Sequence, residues 1–185
     1  MSNCSWIIEK KSKKSSSDGF LKVKPDCKLR VRLIDNPVKV VRIFSKDRKC
    51  AFLNTEEIGR KLKEKYKKEV SDVSVRYACW CINRADKSMK ILDMPASVAR
   101  SLGNREALVG KGIAGEVEGC DWSIITNGKK GKDVRYEAVY IEETPLSCEE
   151  KKMVEDKKSE KEGHFDLKKI FKSYSFEEAV NKLFL

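Results

Sequence analysis

The sequence predicts a mainly β, α+β fold: an OB-like, partly closed antiparallel β-barrel with one or two helices and a C-terminal tail. Residues 28–141 carry short apolar runs that alternate with polar residues, and only two stretches have helical spacing. Turn-forming residues separate these runs. A barrel leaves few exposed strand edges, which favours it for many short strands in one chain of 185 residues. An open antiparallel sheet with a helix packed on it is the alternative.

Composition divides the chain into four segments. Residues 1–23 include the polar run Lys10–Gly19, which predicts a flexible basic arm. Residues 24–146 are expected to form the OB-like core, and residues 147–164 a charged linker that is either helical or disordered. Residues 165–185 are rich in apolar side chains, and two interpretations stay open: a helix that docks back on the barrel, or an interaction tail that folds on a partner.

Alternation and β-branched runs predict the first strands. Leu29, Val31 and Leu33 alternate with basic residues, as in a half-buried strand with one basic face. Thr55, followed by two glutamates, is typical of a helix N-cap. The predicted elements of this half are strands at 28–34, 38–45 and 50–53 and a helix at 55–68.

The second half contains the clearest strand and two turns. Residues 73–84 contain an uninterrupted apolar run at 77–82, and Pro95 suits the first turn of a helix. The Gly- and Lys-rich stretch 128–133 joins two further runs as a hairpin. The predicted elements are strands at 73–84, 89–93, 121–127 and 134–141, a helix at 95–102 and a loop at 103–119.

Positive charge is concentrated in the predicted core. The chain has 40 Lys and Arg against 29 Asp and Glu, a net charge of +11. Residues 24–141 hold 26 basic and 16 acidic residues, whereas residues 142–162 hold 5 basic and 8 acidic ones. The core is therefore expected to attract a polyanion, with nucleic acid as the first candidate.

Several classes of function lack their residues in this sequence. The only histidine, His164, lies in a polar stretch, and no P-loop, GxGxxG, HExxH or GxSxG motif occurs. We therefore expect no catalytic residues, no enzymatic activity and no cofactor. Seven cysteines without CxxC pairs predict no metal site and a reducing, cytoplasmic location. No run approaches the roughly 20 apolar residues of a membrane span.

The strand at 73–84 has two distinguishable faces. If Cys79 and Cys81 point into the core, Trp80 lies between Arg76 and Arg84 on the opposite, exposed face. A ring among cations suits a nucleobase beside its phosphates. Trp80 is therefore the best stacking candidate, and a Trp80 buried beneath a packed helix is the alternative.

Two other predicted strands each carry arginine on one face. Arg30 and Arg32 share one face of the first strand, and Arg42 and Phe44 share a face of the next. If these strands are neighbours, their guanidinium groups line one groove, where they can pair with phosphates and stack on bases. A charged outer face without a ligand is the alternative.

The hairpin around residues 128–133 is the sharpest local feature. Its glycines allow the backbone to approach a ligand closely, and its lysines form a basic tip suited to a phosphate chain. An ordinary Gly/Lys hairpin is the alternative. The predicted nucleic-acid-binding residues of the whole chain are Arg30, Arg32, Arg42, Phe44, Arg76, Trp80, Arg84, Trp122, Lys129, Lys130, Lys132, Arg135 and Tyr136.

One extended pattern resembles a known family. The pattern runs Asp121-Trp-x-Ile124, then Gly128-x-x-Gly-Lys-Asp-x-Arg-Tyr136, then Thr144-Pro-Leu-Ser147. It resembles the single-stranded DNA-binding proteins of tailed phages and related viruses. The resemblance implies an OB-type core, a mobile C-terminal tail and sequence-independent coating of single strands in DNA replication, repair or recombination.

The chain departs from that family in two respects. Some members hold a structural zinc with several cysteines and a histidine, a set that Cys79, Cys81 and the distant His164 do not reproduce. The family tail is acidic to its end, whereas this chain turns apolar after Gly163. Two other functions stay open: an RNA-binding accessory protein of similar fold, and an adaptor that recruits a replication, recombination or transcription protein through residues 165–185.

Overall fold

The structure is a computed structural model that describes residues 19–24, 28–109, 112–115, 119–128, 134–160 and 165–185. The strands in these ranges are β1 (Phe20–Lys22), β2 (Lys28–Leu33), β3 (Val38–Phe44), β4 (Cys50–Leu53), β5 (Ser74–Asn83), β6 (Ser88–Pro95), β7 (Cys120–Asn127) and β8 (Arg135–Glu143). The helices are α1 (Glu56–Tyr66), α2 (Ala96–Val109), α3 (Cys148–Ser159), α4 (Leu167–Ile170) and α5 (Phe176–Phe184). A short 3₁₀ turn, Lys67–Glu69, follows α1.

All of these strands belong to one sheet. Its order is β1-β6-β5-β2-β7-β8, and β3 pairs with both β5 and β4. The sheet is not closed, and helices cover parts of it, so the chain has the mainly β, α+β fold with a partly open sheet that the sequence predicts. No helix in the described part of the chain is long and apolar enough to span a bilayer.

Strand β1 corrects two expectations. It pairs in parallel with β6, with Phe20 opposite Ile91, whereas the other strand pairs are antiparallel. Phe20–Lys22 also lies inside the segment predicted to be a flexible basic arm, so that prediction is wrong for these three residues. Their backbone is ordered because it completes the ladder at the edge of the sheet. Residues 1–18 of the predicted arm lie outside the described residues.

The sheet divides in two beside β5. Strand β2 pairs with the last residues of β5 and β3 pairs with the first, along the same edge. Between them the chain leaves the ladder at Asp35–Pro37, where proline has no N–H to donate. The Asp35 carboxylate accepts a hydrogen bond from the backbone N–H of Trp80 at 2.6 Å. From this point β2 leads on to β7 and β8, and β3 leads on to β4.

Apolar side chains cover both faces of β5. Cys79 and Cys81 lie in a core that includes residues of β2, β6, β7 and α2. Trp80 and Ile82 lie in a second core on the opposite face, with Val154 of α3 among its members. The middle of the strand, residues 77–82, is continuously apolar because it is covered by protein on both sides.

The C-terminal segment packs against the β3–β4 part of the sheet. Ala179 and Leu183 of α5 lie in a third core with β3, β4 and α1. Ser175 and Glu178 form a capping box at the start of α5. Of the two interpretations of residues 165–185, the described structure has the helix that docks back. Part of the predicted linker is the helix α3, and residues 161–164 lie outside the described residues.

Helix α2 is longer than the sequence suggests. It continues through Gly103 to Val109, into the stretch predicted to be a loop. It also protects the outer edge of β8, because the Ser101 hydroxyl accepts a hydrogen bond from the backbone N–H of Ala138 and donates one to its carbonyl, at 3.4 and 3.2 Å. A side chain that satisfies edge groups blocks a further strand from pairing there.

Candidate nucleic-acid interface

An aromatic cavity of about 200 Å³ opens on the face of the sheet that carries Trp80. We call it the aromatic cavity; its lining is Phe20, Lys22, Val40, Arg42, Phe52, Ala78, Asp93 and Phe171. The Phe171 ring contacts the rings of Phe52 and Phe20 edge to face, with centroids 5.2 and 6.1 Å apart. The cavity therefore has three aromatic walls and a floor of buried aliphatic side chains, Val40 and Ala78.

Strand register places the charged groups of the cavity on one face. Ala78 lies opposite Asp93 across β5 and β6, and Lys22 lies opposite Asp93 across β1 and β6. Arg76 of β5 lies opposite Val40 of β3. Arg42 lies two residues after Val40 in β3, so it is on the same face. Residues from four strands thus meet because neighbouring strands align their side chains.

Two arginines share one carboxylate at the edge of the cavity. Arg76 Nε donates to Asp93 Oδ1 at 2.8 Å, and Arg42 Nη1 donates to Asp93 Oδ2 at 3.3 Å. Arg76 Nη2 also donates to the Asp93 carbonyl at 3.1 Å. The Arg42 guanidinium lies 5.4 Å from the centroid of the Phe44 ring. With the exposed Lys22, three cations surround one acid, so the local charge favours an anion.

The structure therefore brings together three of the predicted residues, Arg42, Phe44 and Arg76. The condition for a groove shared with Arg30 and Arg32 is not met, because β3 pairs with β5 and β4, not with β2. Arg30 and Arg32 consequently lie in the other part of the sheet, opposite residues of β7.

An ion cluster around the buried carboxylate of Asp121 holds three of the other four predicted arginines. We call it the Asp121 cluster; its members are Arg30, Arg32, Arg84, Asp121, Glu142 and Glu150. Arg30 Nε and Arg84 Nη2 donate to the buried Asp121 carboxylate at 2.9 and 2.8 Å. Arg30 also pairs with Glu142, and Arg84 with Glu150. Three cations face three acids, so the cluster has no net charge to offer a ligand.

Arg32 is the fully buried cation of the Asp121 cluster. Its terminal nitrogens donate to the carbonyl of Thr144 and, at 2.9 Å, to that of Gly115. Burial lowers the pKa of Arg32 from its ordinary value, and the hydrogen bond with Asp121 raises that of Arg30. The predicted phosphate contacts by Arg32 and Arg84 are wrong, because their guanidinium groups are used inside the protein. Arg30 is partly exposed, with 46% of its side chain accessible.

The predicted stacking role of Trp80 is wrong. Only 4% of Trp80 is exposed, because the C-terminal segment covers this face of β5. Its ring is stacked on Phe165 with centroids 5.6 Å apart, and its Nε1 donates to the Phe165 carbonyl at 2.9 Å. The alternative of a tryptophan buried by a packed element is the correct one.

Trp122 is also a core residue. It is 1% exposed, and its Nε1 donates to the Ile113 carbonyl at 3.1 Å. Its ring contacts Tyr140 edge to face. Since both faces are enclosed by protein, Trp122 cannot stack on a base in this structure, and that prediction is wrong as well.

The Gly/Lys hairpin is described only at its two ends. Lys129, Lys130 and Lys132 lie outside the described residues. Arg135 is exposed at the start of β8, and Tyr136 is half-buried on the opposite face, where it packs against the first core. Arg135 and Tyr136 therefore do not belong to one binding surface.

Of the eight residues that line the aromatic cavity, sequence reasoning named only Arg42. Phe20 and Lys22 lie in the predicted arm and Phe171 in the predicted tail, and Phe52 has no neighbour in the sequence that marks it as a site residue. Asp93 carried a usable signal, because an acid inside the apolar run of β6 needs a partner when it is buried.

The described thiols are unreactive core groups or isolated surface groups. Burial raises the pKa of Cys79 well above its ordinary value and that of Cys81 to about 12. In the described ranges, Cys50, Cys79, Cys81, Cys120 and Cys148 are not in disulfides. No three His, Cys, Asp or Glu side chains in those ranges are grouped as metal ligands.

No protein-family model matches the chain, and no curated protein matches it significantly.

Proposed function

We propose that this chain is a non-enzymatic protein that binds single-stranded DNA without requiring a defined base sequence. It coats and protects single strands during DNA replication, repair or recombination. The observation that carries the proposal is an aromatic cavity edged by Arg42, Arg76 and Lys22, with one carboxylate among them. The resemblance of residues 121–147 to phage and viral single-stranded DNA-binding proteins points the same way.

The chemistry of this surface fits an unpaired strand better than a duplex. Base faces are apolar and phosphates are anionic, so a strand needs rings and cations within one nucleotide of each other. A duplex hides its base faces in the stack and presents phosphates and groove edges, for which a recessed aromatic cavity has no use. The net charge of the core extends the attraction beyond the cavity.

Titration of a labelled oligo-dT by fluorescence anisotropy at several salt concentrations tests the proposal. Tryptophan quenching is unsuitable, because Trp80 and Trp122 are buried. Lys22→Gln removes the exposed cation at the mouth of the aromatic cavity, and it is expected to weaken binding several-fold. It should also reduce the slope of log K against log salt by about 0.7, the value for one phosphate on a single strand.

Arg100→Gln is the matched control, because Arg100 is exposed on α2 and loses the same charge away from the cavity. It should change affinity and slope little. Preference for duplex DNA over oligo-dT would contradict the proposal. Tighter binding of poly-U than poly-dT would favour the RNA-binding alternative instead, because contacts with the 2′-hydroxyl are available only in RNA.

A further inference from the structure

The aromatic cavity has the size of a single ring system. Pockets for drug-sized ligands occupy roughly 300–1,000 Å³, whereas this cavity occupies about 200 Å³. It can therefore receive one nucleobase but not a whole nucleotide. The sugar and phosphate of that nucleotide would remain at the mouth, where Lys22 is exposed.

Arg42 has hydrogen-bonding capacity that the protein does not use. A guanidinium has five N–H groups, and among the described contacts Arg42 uses one, to Asp93. Its Nε is buried without a partner. Its side chain is 25% exposed and lines the aromatic cavity. A carbonyl oxygen that enters the cavity would meet a charged donor there.

We propose that the aromatic cavity takes one unstacked pyrimidine base from the bound strand. The base lies among Phe20, Phe52 and Phe171, and its carbonyl oxygen accepts a hydrogen bond from Arg42. Pyrimidines are the smaller bases, and thymine and cytosine both carry a ring carbonyl, which adenine lacks. This inference rests on the proposed function, since it assigns a base site within the same surface.

Abasic oligonucleotides separate insertion of a base from binding of the backbone. The experiment compares affinities of the full chain for oligo-dT, oligo-dA and a fully abasic oligonucleotide of equal length, at one salt concentration. The wild-type protein is expected to bind oligo-dT at least tenfold more tightly than the abasic strand. Because oligo-dA also stacks on itself, the decisive readout is how a variant changes these ratios.

Phe20→Leu is the test variant. Phe20 is 37% exposed, so leucine keeps an apolar side chain on β1 while removing one aromatic wall. The ratio of oligo-dT to abasic affinity should fall at least threefold, with the affinity for the abasic strand unchanged. Leu108→Ala, at a side chain 81% exposed on α2, is the control and should leave every ratio unchanged.

The outcomes distinguish the inference from the proposed function. Failure to bind either oligonucleotide contradicts the proposed function. Equal binding of oligo-dT and the abasic strand, or ratios that Phe20→Leu does not change, contradicts only the base site. A thermal melt of each variant confirms that it is folded; if Phe20→Leu is not, Phe20→Tyr, which adds a hydroxyl to the ring, replaces it and should alter the same ratio.

Discussion

Asp35 is a carboxyl group held at the point where the sheet divides. Burial raises its pKa from 3.8 to about 6, although the hydrogen bond from the Trp80 N–H opposes this shift. The folded protein thus retains a proton that the unfolded chain releases near pH 4. Stability is expected to fall as the pH rises from about 4 to about 6, by at most about 3 kcal/mol from this group, and then to level off.

Asp35→Asn tests this expectation, because asparagine keeps an acceptor for Trp80 but does not ionise. Urea unfolding of both proteins between pH 4 and pH 7 gives the free energy of unfolding at each pH. The variant should gain stability relative to the wild type across this range. Parallel curves for the two proteins would contradict the assignment to Asp35.

Gly119 is required by close packing beside Arg32. A Cβ at this position would lie 2.6 Å from the Gly115 carbonyl oxygen and 3.0 Å from two guanidinium nitrogens of Arg32. Gly119→Ala is therefore expected to lower the free energy of unfolding by about 1–3 kcal/mol. Gly103→Ala is the control, because a Cβ there meets nothing within 4 Å and alanine favours the helix by up to about 1 kcal/mol. Equal effects in urea unfolding would show that the contact with Arg32 is unimportant.

The apolar face of helix α5 is expected to contribute to the free energy of unfolding. Leu183 is 1% exposed in the third core, whereas Leu185, two residues later, is 90% exposed. Leu183→Ala should lower the free energy of unfolding by about 2–4 kcal/mol, and Leu185→Ala should change it little. Chemical denaturation measures both. An unchanged free energy of unfolding in Leu183→Ala would favour the other interpretation of this segment, an interaction tail that folds on a partner.

Seven of the eight described strands were predictable, because period-two patterns and turn residues are local signals, whereas β1 lay in the predicted arm. β4 was predicted with its observed bounds, and β5 and β7 within one residue at each end. The partners of each strand were not predictable, since pairing of β1 with β6 and of β3 with β5 joins distant residues. Trp80 shows the consequence: its strand has apolar residues on both faces, a sign of two-sided burial, yet the covering element lies more than eighty residues away.

At the scale of the whole molecule, charge has two separate uses. The predicted cations divide between the Asp121 cluster, which is neutral and centred on a buried carboxylate, and the edge of the aromatic cavity, which keeps a positive excess. The two ends of the motif from Asp121 to Ser147 lie in or next to the Asp121 cluster. Arg32 binds the Thr144 carbonyl, Leu146 is buried, and Ser147 caps α3.

The Asp121 cluster connects distant parts of the chain. Asp121 lies on β7, Arg30 on β2, Arg84 directly after β5, and Glu150 on α3. Asp121→Asn would leave partly buried cations without a full counter-charge, and it should lower the free energy of unfolding by about 3–5 kcal/mol. Asp72→Asn removes the same charge from a side chain that is 94% exposed and paired with Lys63, so it should cost no more than about 1 kcal/mol.

Urea denaturation, followed by tryptophan fluorescence, measures both variants. Trp122 neighbours Asp121 in β7 and Trp80 lies beneath the C-terminal segment, so the signal reports on two cores. A double variant, Asp121→Asn with Arg30→Met, should recover part of the lost stability, because it removes one of the cations that Asp121 neutralises and unpairs only the exposed Glu142. Equal losses for Asp121→Asn and Asp72→Asn would mean that the cluster contributes no more to stability than an exposed ion pair does.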